Sequence, residues 1–178
     1  VAWGSLASLL VPPLLVHRCR GHPALRRIGF LAPVRPASLL VGLGVGAFLG
    51  AHLLVTSSLT FGYAISVVSV AAYTSAVAYD VGANALSAEW LFRGALFSHW
   101  WRHWGFWGAV TVSTAFTLVR YLLDPALPQS PEARAGAIVY LAALALGAAV
   151  LRAWSGSLVP GYLASVAFFA AYRALVVW

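Results

Sequence analysis

Long apolar runs alternate with short polar or basic breaks along almost the whole chain. Ala2–Val16 is apolar, short and interrupted by Pro12-Pro13. With no basic residue ahead of it, it reads as a retained first span, tilted or kinked, rather than a cleaved signal peptide. A basic connection, His17–Pro36, leads into the apolar runs Ala37–Val55 and Phe61–Tyr79. A turn over Asp80–Asn84 comes next, and Asn84 or Ser87 is placed to cap the run Asn84–Trp104. Phe106–Leu123, Ala133–Arg152 and Gly161–Trp178 complete the series, divided by the proline-rich loop Asp124–Glu132 and the turn Trp154–Pro160. Apolar runs of this length need internally satisfied backbone, which in lipid means helix. At about 20 residues per span, the 178 residues hold six to eight helices. The expected fold is all-α, a polytopic transmembrane bundle forming one integral-membrane domain over residues 1–178.

Composition supports this and excludes a soluble domain. Hydrophobic residues make up 62% and charged residues 8%, against roughly a quarter charged in soluble domains. The net charge of +7 comes from arginine alone. Arg18, Arg20, Arg26, Arg27 and Arg35 share the loop 17–36, which the positive-inside rule makes cytoplasmic. Basic residues placed this way argue for lipid headgroups as partners and against nucleic acid. His17 and His22 sit among these arginines, a poor setting for a metal. The single cysteine, Cys19, permits neither an internal disulfide nor a cysteine-cluster metal site. The wealth of Arg, Ala, Gly, Leu and Val fits a GC-rich bacterial genome, hence the inner membrane.

Small and hydroxylated residues mark packing faces. Gly42, Gly44, Gly46 and Gly50 lie in one run, with Gly46 and Gly50 in a GxxxG pattern that lets another helix approach closely, from this chain or a partner. Ser66, Ser69, Tyr73 and Ser75 can hydrogen-bond within a bundle.

The chain carries four acidic residues. One of them, Glu89, lies four residues before Arg93 in Glu-Trp-Leu-Phe-Arg-Gly, so both share a helix face. Charges in an apolar helix require a partner, a wet cavity or a function. Phe116 and Arg120 have the same spacing further on, and Gly156-Ser157-Leu158-Val159-Pro160 forms a later turn.

These three stretches resemble the motifs of the CPBP family, the CAAX prenyl endopeptidase and bacteriocin-processing intramembrane proteases, from about Leu25 to the C-terminus. The resemblance implies that family's fold. It also implies where a proteolytic centre would lie: a glutamate pair with an arginine four later, a phenylalanine with a histidine four later, and a histidine with an Asn or Asp four later. Here those positions hold Ala88 and Glu89, then Arg93; Phe116 and Arg120; Ser165 and Phe169. A guanidinium neither accepts a proton near neutral pH nor ligates a cation. A lone carboxylate beside Arg93 and Arg120 is under-equipped for a divalent metal. The resemblance thus implies a catalytically degenerate member with no metal or other cofactor. Glu89, Arg93 and Arg120 are expected to form a structural ion cluster.

Other candidates weigh less. Ser165 has no base nearby in sequence. His99 and His103 lie four apart among Trp100, Trp101, Arg102, Trp104 and Trp107, a setting for interfacial anchoring rather than metal binding. The same tryptophans form a belt suited to contact with another membrane subunit, bound lipid or pigment. His52 is expected to hydrogen-bond inside the bundle. The function expected is that of an inactive protease-like protein serving as a structural or assembly subunit of a larger bacterial membrane complex, photosynthetic, respiratory or transport. The alternatives are an endopeptidase with an altered centre, or a lipid-binding protein using the former active-site cavity.

Overall fold

A computed structural model describes Leu14, Arg18, Pro23 and residues 25–67, 69–123, 127 and 130–176. The expected first span Ala2–Val16, apart from Leu14, lies outside these residues, as do Cys19, His17, His22 and Trp178. Five helices are described: α1 (Pro36–Phe61), α2 (Val70–Tyr79), α3 (Phe97–Leu122), α4 (Pro131–Ser155) and α5 (Val159–Tyr172). From α2 to α3 the chain stays helical through two π-helical stretches, Asp80–Ala85 and Glu89–Leu96, flanking the α turn Leu86–Ala88. Two short extended pieces, β1 (Ala64–Ile65) and β2 (Leu175–Val176), pair antiparallel with Ala64 opposite Val176.

The helix boundaries follow from local chemistry. Pro36 opens α1, and Gly62 closes it at φ 67°, its amide bonding the carbonyls of Ser57 and Ser58. Ser130 caps α4 by accepting from the Ala133 amide at 3.3 Å, with Pro131 next and Glu132 in the first turn. Within α3, Gly105 stands at φ 68° and ψ −172°. The rings of Trp100 and Phe116 are 5.5 Å apart, whereas sixteen residues of straight helix would separate them by about 24 Å. The two arms of α3 therefore fold back on each other at Gly105, the break the sequence places between Trp104 and Phe106.

Three expected boundaries are corrected. The third apolar run is helical from Val70 rather than Phe61, because Gly62 stops α1 and Ser69 caps α2 by accepting from Ala72 at 3.4 Å. Asp80–Asn84 is helix rather than turn. Asp80 is buried there and held by Arg173 (Nε–Oδ2 2.5 Å, Nη2–Oδ1 3.0 Å). Ser87 donates back to the Asn84 carbonyl at 3.0 Å instead of capping. The last run leaves the helix after Tyr172, where Leu175–Val176 pairs with β1.

Along α1 the burial pattern is inverted relative to a helix of a soluble protein. On α1 the buried positions are Ser38, Gly42, Gly46, Gly50, Leu53 and Ser57, while Leu40, Leu43, Phe48, Val55 and Leu59 face outward. The small stripe seats on α5. A Cβ on Gly42 would overlap the Pro160 carbonyl, one on Gly46 the Ala164 carbonyl, and one on Gly50 the Ala171 methyl. The GxxxG face is thus used within the chain. Gly44 has nothing within 4 Å. Leu141 and Leu144 of α4 join the core formed with α1 and α5, while Ala149 packs in a second cluster with Phe97, Ala109 and Val110. Gly46→Leu should lower stability by about 1–3 kcal/mol through overpacking, while Gly44→Leu should leave it nearly unchanged. Thermal unfolding of the two variants in detergent measures the difference.

Candidate functional site

The π-helical stretch Glu89–Leu96 buries Glu89, Trp90, Phe92, Arg93 and Gly94. One face of this segment thereby enters the bundle with both of its charges. Arg93 Nη1 lies 3.5 Å from Glu89 Oε1, with the two side chains 1% and 2% exposed. Arg93 Nη2 also donates to the Ala145 carbonyl of α4 at 3.0 Å. The carboxylate presses on α5 where that helix lacks a side chain: a Cβ on Gly161 would lie 2.7 Å from Glu89 Oε2. Oε2 itself accepts no hydrogen bond among the described residues, nor do Arg93 Nε and Nη1 donate one.

The end of the site toward the basic loop is covered. The Phe30 ring lies 3.7 Å from that of Trp90, and Gly94 faces the Ile28 carbonyl and Leu158. Leu158 donates its amide to the Gly29 carbonyl at 3.1 Å, tying the Gly-Ser-Leu-Val-Pro turn to this cover. Arg152 fixes the same corner. Its Nη2 donates to the Arg27 carbonyl at 3.1 Å and to the Ser98 hydroxyl at 3.4 Å. Gly29, at φ 86°, must be glycine both for its backbone and because a Cβ would meet the Arg152 guanidinium at 2.7 Å.

The remaining sequence candidates divide. Ala88 is buried beside Glu89. Ser165 is buried one turn after Gly161 on the same face of α5, and Phe169 packs edge-on against Tyr121 at 5.8 Å. Arg120 takes no part in the Glu89–Arg93 pair. The buried stripe of α3 is Ser113, Thr117 and Tyr121, so Phe116 and Arg120 lie one position off it; Phe116 is 49% exposed and Arg120 half-buried. Trp101, Trp104 and Trp107 are exposed, while Trp100 is half-buried against Phe116. The rings of His99 and His103 approach to 4.7 Å on the exposed side. No group of three or more metal-ligating side chains occurs among the described residues.

Sequence reasoning missed Arg152, Gly161 and the Asp80–Arg173 pair. Asp80 left a signal: a second acid flanked by apolar runs also needs a cation. The cation lies at the far end of the chain, where no local pattern points to it.

Residues 70–171 match the family described as Type II CAAX prenyl endopeptidase Rce1-like. That range holds all three motif stretches and covers more than half of the chain. The chain belongs to the Rce1-like family. No curated protein and no solved structure matches it. The matched part of this Rce1-like chain begins at α2, so α1 and the arginine-rich loop lie outside it. Proteins of the family are membrane proteins. α1 and α4, with mean hydropathies of 2.0 and 1.9, are long and apolar enough to cross a bilayer, consistent with multi-pass insertion.

Breaking the buried pair should be costly. Glu89→Gln or Arg93→Met alone should destabilise the bundle by about 3–5 kcal/mol, since each leaves one buried charge uncompensated, whereas the double variant should recover much of the loss. A double-mutant cycle read by thermal unfolding in detergent checks this.

Proposed function

We propose that this Rce1-like chain is a proteolytically inactive member of its family, acting as a structural or assembly subunit of a larger bacterial membrane complex. The whole chain would form one six-to-eight-helix domain in the inner membrane, with loop 17–36 cytoplasmic. The observation that carries the reading is the enclosure of Glu89. Its carboxylate is 2% exposed, lies against Arg93 and is pressed on Gly161. A hydrolytic base must reach both a water molecule and the scissile bond.

The other former-site positions add no proton acceptor. Ala88 and Phe169 have none to offer, Ser165 is a buried hydroxyl on α5, and Arg120 carries a fixed positive charge away from the pair. The large cleft of the described bundle is lined by neither Glu89, Arg93 nor Arg120, which weighs against the former centre as a lipid pocket. Trp101, Trp104 and Trp107 offer an exposed aromatic face near the α3 reversal. Such a face suits contact with lipid, pigment or a neighbouring subunit.

Purification of the native protein in a mild detergent should retain a stoichiometric set of membrane proteins, identified by mass spectrometry; a protein running alone would overturn the subunit role. In proteoliposomes the pure chain should release no product from a prenylated CaaX peptide. Cleavage that disappears in Glu89→Gln would overturn the inactive reading.

A further inference from the structure

A second feature lies away from the Glu89 centre. Between α1, α2, α4 and the extended residues 63–67, a cleft of about 810 Å³ opens on the flank of the bundle. That volume falls within the roughly 300–1,000 Å³ of small-molecule sites. Its walls are mostly apolar, with Phe48, Leu49, Val139 and Ala143 among them.

Polar groups are gathered inside it. His52 Nδ1 lies 2.6 Å from the Tyr140 hydroxyl and 3.2 Å from the Thr56 hydroxyl. These contacts orient the ring and leave Nε2 without a hydrogen-bond partner among the described residues. His52 is exposed and lines the cleft. It stands about two-thirds of the way along a helix of membrane-spanning length, where an ionisable side chain points to a function. Among the described lining residues Arg173 alone carries a formal charge, and it is ion-paired to Asp80.

We propose that this cleft binds an amphiphile with a long hydrocarbon tail and an uncharged oxygen headgroup, a hydroxyl or a carbonyl. The tail lies along the apolar walls of α1 and α4, and the head meets His52 Nε2. A neutral imidazole can donate to a carbonyl or accept from a hydroxyl, so either head fits. A carboxylate or ammonium head would enter a low-dielectric cleft with no unbalanced countercharge among its described lining residues.

The test uses the full chain in phosphatidylcholine nanodiscs at pH 8, with three radiolabelled probes: 1-hexadecanol, decylubiquinone and hexadecanoate. Saturable binding of hexadecanol or decylubiquinone is expected, and which one binds tells a hydroxyl from a carbonyl head. Hexadecanoate should bind at least about tenfold more weakly. His52→Leu should weaken the bound probe about tenfold, the loss of one hydrogen bond from a buried headgroup. Gly136→Trp should abolish binding by filling the cleft. Should His52→Leu not fold, Thr56→Val, which frees the ring from one of its two anchors, serves in its place with a several-fold loss expected. Monodisperse gel filtration and thermal unfolding establish folding in each case. Saturable binding of neither uncharged probe, hexadecanoate binding equally well, or unchanged binding in the folded variants would overturn the proposal.

Discussion

Everything about the Glu89 region depends on the cost of placing a charge in a low-dielectric interior. Glu89 and Arg93 are both almost fully enclosed, and neither would be tolerated there alone. Four residues apart on a helical segment, they meet without help from the rest of the chain. The rest of the chain accommodates them. α4 lends the Ala145 carbonyl to the guanidinium, and α5 offers a gap at Gly161 for the carboxylate. The π-helical stretch that carries the pair gives its backbone a wider turn in a region packed on several sides.

The same setting explains why small and hydroxylated residues line the inner face of α1 while its bulky apolar ones point outward. A bilayer supplies little drive for apolar faces to seek one another, so close backbone approach and interior hydrogen bonds hold the helices together. The Gly42–Gly46–Gly50 stripe lets α1 meet the backbone of α5, while the leucines of α1 point away. Asp80 and Arg173 repeat the logic of the first ion pair across helices distant in sequence. Arg152 pins the Leu25–Leu31 cover over the end of the pair. The covered pair and the open His52 cleft therefore lie in different parts of one bundle, the first lined by charge and closed, the second largely apolar and accessible.

Family membership and the residues found at positions 88, 120 and 165 are compatible in physical terms. A fold of this kind is maintained by small-residue stripes, buried ion pairs and glycine-terminated helices, none of which requires a proton acceptor at Ala88, Arg120 or Ser165. An arginine at position 120 is accommodated because it stands one position off the buried stripe of α3, where the guanidinium need not enter the core.

The sequence by itself determined the helical class, the break at Gly105, the glycine face of α1, and the Glu89–Arg93 adjacency. Each depends on residues within one or two helical turns, or on the demand of lipid for satisfied backbone. It misread Asp80–Asn84 as a turn because polar residues at a run boundary usually end a helix; the tie from Asp80 to Arg173 keeps this one going. Only the tertiary structure decided that Arg120 stays out of the Glu89–Arg93 pair, because the register of α3 sends Thr117 and Tyr121 inward and Arg120 aside. It also decided that Gly161 makes room for the carboxylate, that Arg152 guards the corner, and that His52 and Tyr140 meet across a cleft. Those contacts join segments dozens of residues apart, and their geometry is set by helix packing rather than by any local pattern.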